Sequence, residues 1–219
     1  MGEQRLKFDD FDVSARIDKA VDPIGTLVFA HGAGASMYHG TLEEIARKCN
    51  EARISVLRFN FPYMEAGKNR TDSQPVATLA IKAALELAQK ELSGPYFLGG
   101  HSFGGRMASH AVVDHDLDVT GLVFCSFPLH TPKKPGIARA EHMDAIKVPM
   151  LFLSGTRDGM AEHDLMQSVV NRLHAQLHWL DTADHGYKVL KRTRQRTDDV
   201  FSEMVGYIAT FVAQSDSAG

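Results

Sequence analysis

An α/β fold with a mostly parallel sheet is predicted by three features of the sequence. Six short apolar runs, at 26–30, 54–59, 96–99, 121–125, 150–153 and 176–180, recur at intervals of roughly 20–30 residues. Most are continuous rather than alternating, as strands covered on both faces require. The longer intervals between them carry apolar residues at helical spacing.

Each element can be justified in order. Residues 5–17 alternate Leu6, Phe8, Val13, Ala15 and Ile17 in two pieces, as one or two antiparallel edge strands would. The strand at 26–30 leads to a helix at 41–52, and the strand at 54–59 to a helix at 76–92. The latter carries Ala77, Ala80, Ile81, Ala84, Leu85 and Ala88 as one stripe. A helix at 103–114 follows the strand at 96–99. The interval 126–148 after the strand at 121–125 is bracketed by Pro128, Pro132, Pro135 and Pro149. It has room for one short helix, 137–146, and none for a cap domain. The strand at 150–153 precedes a helix at 161–174, and the strand at 176–180 precedes the last helix at 198–212. Val200, Met204, Ile208 and Phe211 lie on one face of that helix. The expected architecture is an eight- or seven-stranded sheet flanked by helices, in a single domain over 1–213. Residues 214–219 read as a flexible tail.

A length of 219 residues suits one core. Composition is ordinary, with 44% hydrophobic and 23% charged residues, which excludes disordered and disulfide-stapled classes. The formal charge of −3 offers no electrostatic footprint for nucleic acid or an anionic membrane. Cys125 lies in an apolar run and reads as a buried free thiol, with Cys49 unpaired. No apolar stretch reaches about 18 residues, so no membrane span is expected. The N-terminus has no h-region, so a cytoplasmic location is expected. The sequon at Asn69 is then coincidental.

The run at 96–99 continues into Gly100-His101-Ser102-Phe103-Gly104-Gly105 and then helical sequence. G-x-S-x-G between a strand and a helix is the pattern that puts a serine on a tight strained turn with its Oγ exposed. The N-terminus of the following helix favours developing negative charge there. No G-x-x-x-x-G-K-[ST] occurs, so the turn is not a P-loop. The first strong strand ends in His31-Gly32-Ala33-Gly34-Ala35, whose small residues let backbone N–H groups face a ligand. Acyl transfer needs two such donors. The Phe103 and Ala33 N–H groups are the candidates, with Gly34 the near competitor of Ala33. His31 reads as a structural hydrogen-bonding group beneath this loop.

A triad in this chain order needs an acid after a later strand and a histidine after the last one. Asp158 ends Gly155-Thr156-Arg157-Asp158, and His185 sits in Asp184-His185-Gly186. Both fall past strand C-terminal ends, where open α/β sheets place their sites. Asp184 is the rival acid, but a side chain adjacent to His185 reaches its ring poorly. His174 and His178 straddle a helix end and a strand, and no H-E-x-x-H or C-x-x-C occurs, so no metal is indicated.

These motifs together resemble the α/β-hydrolase superfamily over nearly the whole chain. Within it, Arg58-Phe59-Asn60-Phe61-Pro62-Tyr63 and Tyr187-Lys188-Val189-Leu190-Lys191 are similar to phrases of the dienelactone-hydrolase-like group that includes the testis-expressed hydrolase-like proteins. The resemblance implies the α/β-hydrolase fold, a serine nucleophile and no cofactor. True dienelactone hydrolases use cysteine where this chain has Ser102, so their substrate is not implied. Some relatives look like scaffold parts of larger assemblies.

The expected function is a serine hydrolase acting on a small carboxylic ester, thioester or lactone through an acyl-enzyme on Ser102. The rivals are a non-catalytic interaction module and a small peptidase. Met37, Tyr38, Tyr63, Met64, Phe127 and Leu129 are candidate apolar pocket walls. The run Lys191-Arg192-Thr193-Arg194-Gln195-Arg196 reads as a solvated loop, or as a contact for an anionic group.

Overall fold

The structure is a computed structural model, and it describes residues 2–216. Its strands are β1 (Gly2–Phe8), β2 (Phe11–Asp18), β3 (Gly25–Ala30), β4 (Ile54–Phe59), β5 (Tyr96–His101), β6 (Gly121–Cys125), β7 (Met150–Gly155) and β8 (Gln176–Leu180). They form one eight-stranded sheet in the order β1-β2-β4-β3-β5-β6-β7-β8. β1 and β2 are antiparallel to each other, and β2 is antiparallel to β4. The remaining neighbours run parallel.

The helices are α1 (Gly40–Glu51), α2 (Pro62–Glu65), α3 (Gln74–Glu91), α4 (Phe103–His115), α5 (His163–Leu173) and α6 (Val200–Asp216). They cover both faces, and the strands alternate accordingly. Val28, Leu98, Leu122 and Phe124 point into the cluster shared with Ala80, Ala84 and Met107 of α3 and α4. Leu27, Phe29, Phe97 and Val123 point to the opposite face, against Ile45 of α1 and Ile208 and Phe211 of α6. A strand buried on both sides has no polar alternate, which is why these runs read as continuously apolar.

The structure differs from the sequence expectation at four places. The N-terminal segment is a full hairpin, longer than 5–17. Pro62 starts a single helical turn, α2, which the apolar pattern is too short to reveal. The short helix expected at 137–146 is a 3₁₀ helix, Ala138–Ala145, in an interval that has no cap domain, as expected. α6 runs on to Asp216, so 214–216 are helical rather than a loose tail, and 217–219 lie outside the described residues.

Two details of the sheet position the site. β3 has β4 on one side and β5 on the other, so the chain reverses direction across the sheet here. Such a switch point opens a crevice at the strand C-termini. Arg58, at the end of β4, is buried and donates to Asp18 Oδ2 at 2.7 Å and to the Met37 carbonyl at 2.6 Å. This ties the loop after β3 to the antiparallel edge.

Candidate active site

Ser102 stands between β5 and α4 at φ 52°, ψ −113°. An L-residue enters that region only when its surroundings hold it there. The hold is visible: the Ser102 N–H donates to the Cys125 carbonyl at 2.9 Å, and α4 begins at the next residue. The turn also needs its flanking glycines. A Cβ on Gly104 would lie 2.3 Å from the Ala30 carbonyl oxygen, and one on Gly100 would lie 2.5 Å from the same atom. Only a bare backbone lets α4 and β5 approach β3 this closely.

The three residues expected to act together meet. Ser102 Oγ lies 2.8 Å from His185 Nε2, and His185 Nδ1 lies 2.7 Å from Asp158 Oδ2. The side chain of Asp158 is fully buried, and its other oxygen accepts the Met160 N–H at 2.9 Å. A carboxylate can only accept, so Nδ1 carries the ring proton and Nε2 is left as acceptor for the serine hydroxyl. The rival Asp184 is turned away. Its Oδ1 accepts the N–H groups of Gly186 and Lys188 at 3.0 and 2.9 Å and closes the turn that presents His185.

His101, next to the serine, has a part the sequence did not reveal. Its Nε2–H donates to the His185 carbonyl at 2.9 Å, so the strand carrying the serine also grips the loop carrying the histidine. Its ring packs at the edge of Tyr187, which is buried behind it. Burial holds His101 at a pKa of about 4, so it stays neutral and keeps this donor near neutral pH. Its Nδ1 would lie 2.8 Å from a Cβ on Gly32, so Gly32 is glycine partly to admit this ring.

Phe103 is the first residue of α4, where an N–H has no partner within its own helix. Ala33 and Gly34 lie in the loop after β3. The loop is braced by one short stretch, 58–63. Arg58 bonds the Met37 carbonyl, and Asn60 Oδ1 accepts the Met37 N–H. The Phe61 N–H donates to His31 Nε2 at 3.1 Å, and the Tyr63 hydroxyl donates to the Gly32 carbonyl at 3.3 Å. The phrase that carried the family resemblance is thus the scaffold of the loop opposite the serine.

His31 is fully buried, donates from Nδ1 to the Gly32 carbonyl and accepts at Nε2, so it must be neutral. Burial pushes its pKa from 6.5 down to about 4. The unfolded chain therefore binds the proton that the native state refuses. Stability should fall as pH drops from about 6.5 to about 4, and this contribution is constant above and below that window. Urea unfolding at about pH 4.5 should show a stability lower by about 2 kcal/mol for one such histidine, with His101 acting in the same direction. Equal midpoints at pH 7 and 4.5 would refute it.

The candidate pocket walls require correction. Met37, Tyr63, Phe127 and Leu129 are packed in the core at no more than 2% exposure. Met64 is partly buried against the same core, and Tyr38 is exposed, with its hydroxyl on Glu3. None of the six lines the cleft of about 500 Å³ beside His185; Pro132, Arg157, Met160, Asp184, Gly186 and Lys188 do. Large apolar residues in these loops are spent on anchoring them, and the cleft is built from residues with no apolar signal.

The basic run is also partly structural. The Arg194 side chain is buried and pairs with Glu203 of α6, which also accepts from His178 at 2.7 Å. Arg196 bonds Asp198. Lys191, Arg192 and Arg196 are exposed, the first two with no ion pair among the described residues. Cys49 and Cys125 are buried free thiols, and no helix among the described residues is long and apolar enough to cross a membrane.

Three solved structures share this architecture. Est1E from Butyrivibrio proteoclasticus superposes with a TM-score of 0.76 at 14% identity, covering 99% of this chain and 100% of its own. A lidless serine hydrolase from Xanthomonas campestris gives 0.71 at 15%, covering 99% and 94%. A dienelactone hydrolase from Anabaena variabilis gives 0.70 at 15%, covering 99% and 97%. At these identities the likeness is one of fold. Sequence similarity reaches further, because residues 23–213 match the family described as the alpha/beta hydrolase domain, and the chain belongs to that family.

Proposed function

We propose that the protein is a cofactor-free serine hydrolase that cleaves a carboxylic ester, thioester or lactone. The supporting observation is the continuous relay from Ser102 Oγ through His185 to Asp158, at 2.8 and 2.7 Å, at the C-terminal edge of the sheet. Membership of a hydrolase family supports the same reading.

In this mechanism Ser102 Oγ attacks the carbonyl carbon while His185 Nε2 takes the hydroxyl proton. The Phe103 and Ala33 N–H groups stabilise the tetrahedral oxyanion. The bond to the leaving oxygen or sulfur breaks, and that atom receives the proton from His185. Water then attacks the acyl-enzyme, giving up a proton to His185. The acid departs as the acyl–Oγ bond breaks and the proton returns to Ser102. Asp158 holds the tautomer and stabilises the imidazolium without itself taking the proton.

A fluorophosphonate probe tests this directly. The wild-type protein should be labelled at one site, and Ser102→Ala should not be labelled while keeping the wild-type melting temperature. Labelling that persists in Ser102→Ala, or is absent from the folded wild type, would remove the proposal.

A further inference from the structure

We infer that the leaving group of the substrate carries an anion, a carboxylate or a phosphate, received by Arg157 and Lys188. This rests on the hydrolase mechanism proposed above and adds a substrate class to it.

The mechanism fixes which half of the substrate lies where. His185 Nε2 must protonate the leaving oxygen or sulfur, so the alcohol or thiol half passes over the exposed edge of that ring. That half is assigned to the cleft of about 500 Å³ whose lining includes His185. Its walls contribute two cations. Arg157 spends one N–H of Nη1 on the Thr182 carbonyl at 3.1 Å and keeps the rest of its fork. Lys188 forms no ion pair among the described residues. Both are exposed.

The negative groups facing them are already engaged. Asp158 is buried and bonded through both oxygens. Asp184 lines the cleft, but its Oδ1 takes two backbone N–H groups of its own loop. Beyond Pro132, on another wall, come Lys133 and Lys134, both exposed. Arg157 and Lys188 balance Asp158 and Asp184 within the lining, and Lys133 and Lys134 beside it add positive charge near the mouth, in a chain whose formal net charge is −3. A concave wall focuses such a field and raises the local concentration of an anionic substrate. Pro132 and Met160 supply the apolar surface that would cover the link between the reacting atom and the anion.

Paired substrates with one acyl group test the inference. Butyrate esters of 3-carboxyphenol and of its neutral methyl ester form the carboxylate arm. Butyryl-coenzyme A and the butyryl thioester of N-acetylcysteamine form the phosphate arm. The wild-type enzyme should favour the anionic member by about tenfold in kcat/KM in at least one arm, a preference lost at high salt. Lys188→Gln should lower the anionic-to-neutral ratio toward one, and Lys188→Glu should invert it. Arg157→Gln should lower it as well. The arm that shows the preference identifies the anion. A ratio near one in both arms, or one that Lys188→Glu leaves unchanged, overturns the inference while Ser102-dependent turnover keeps the hydrolase mechanism intact. Absence of Ser102-dependent turnover together with absent probe labelling overturns both.

Discussion

Asp158→Asn is expected to lower kcat toward an activated ester by about 10⁴-fold. The reason lies in the second oxygen of the carboxylate. Asp158 Oδ1 accepts the Met160 N–H at 2.9 Å, and an amide in the same place would keep its oxygen there. Its NH₂ would then face His185 Nδ1, which would have to become an acceptor. The ring proton would move to Nε2, the nitrogen that must take the proton of Ser102. Asp184→Asn should cost far less, because an amide oxygen can still accept the Gly186 and Lys188 N–H groups. Steady-state kinetics on both variants decide the matter. If Asp184→Asn is the crippled enzyme and Asp158→Asn is not, the acid has been misassigned.

The second large effect concerns stability. Asp18→Ala should cost about 3–5 kcal/mol in urea unfolding, the usual penalty for stranding a buried charge. Arg58 is 3% exposed in its side chain, and its pair with Asp18 is the ionic part of its surroundings. Its Nε already lacks a partner among the described residues, so the site has no slack. The double variant Asp18→Leu/Arg58→Met should recover most of the loss, since an apolar pair of similar volume avoids both desolvation penalties. It should not recover full activity, because the Met37 carbonyl loses its Arg58 donor and the loop bearing Ala33 loses one of its braces. A single-variant cost below about 1 kcal/mol would show that water reaches Arg58 and that the brace is weak.

Most of the fold was legible because the sheet is covered on both faces. Leu122, Val123 and Phe124 alternate between two cores and leave an unbroken apolar run that needs no partner to be recognised. The positions of Ser102, Asp158 and His185, which the fold brings together, were legible for a different reason. Each sits just past a strand end, where open α/β sheets place their sites, and Gly100 and Gly104 around Ser102 and Gly155 before Asp158 mark a tight backbone. The elements that escaped are those with little apolar periodicity. α2 is one turn long, and the short helix in 126–148 closes as 3₁₀ rather than α.

The pocket residues were misjudged because large apolar side chains in loops have two uses, and a sequence does not separate them. Phe61 stacks on Tyr63, and both meet Phe103 edge to face. Phe127 packs on Phe124 and Phe152. Burial rewards both arrangements equally, and only the folded chain says which side chains remain in contact with solvent.

The sequence by itself determined the α/β class, the strand-to-helix turn at Ser102 and the order of serine, acid and histidine. These follow from periodicity and local sterics, which act over a few residues. Tertiary structure decided that Asp158 meets His185 and that Asp184 closes a turn instead. It also turned 58–63 into a brace and gave His101 its hold on the histidine loop. Each of these depends on which atoms, tens of residues apart, come within about 3 Å in a densely packed interior, and no local pattern encodes that distance.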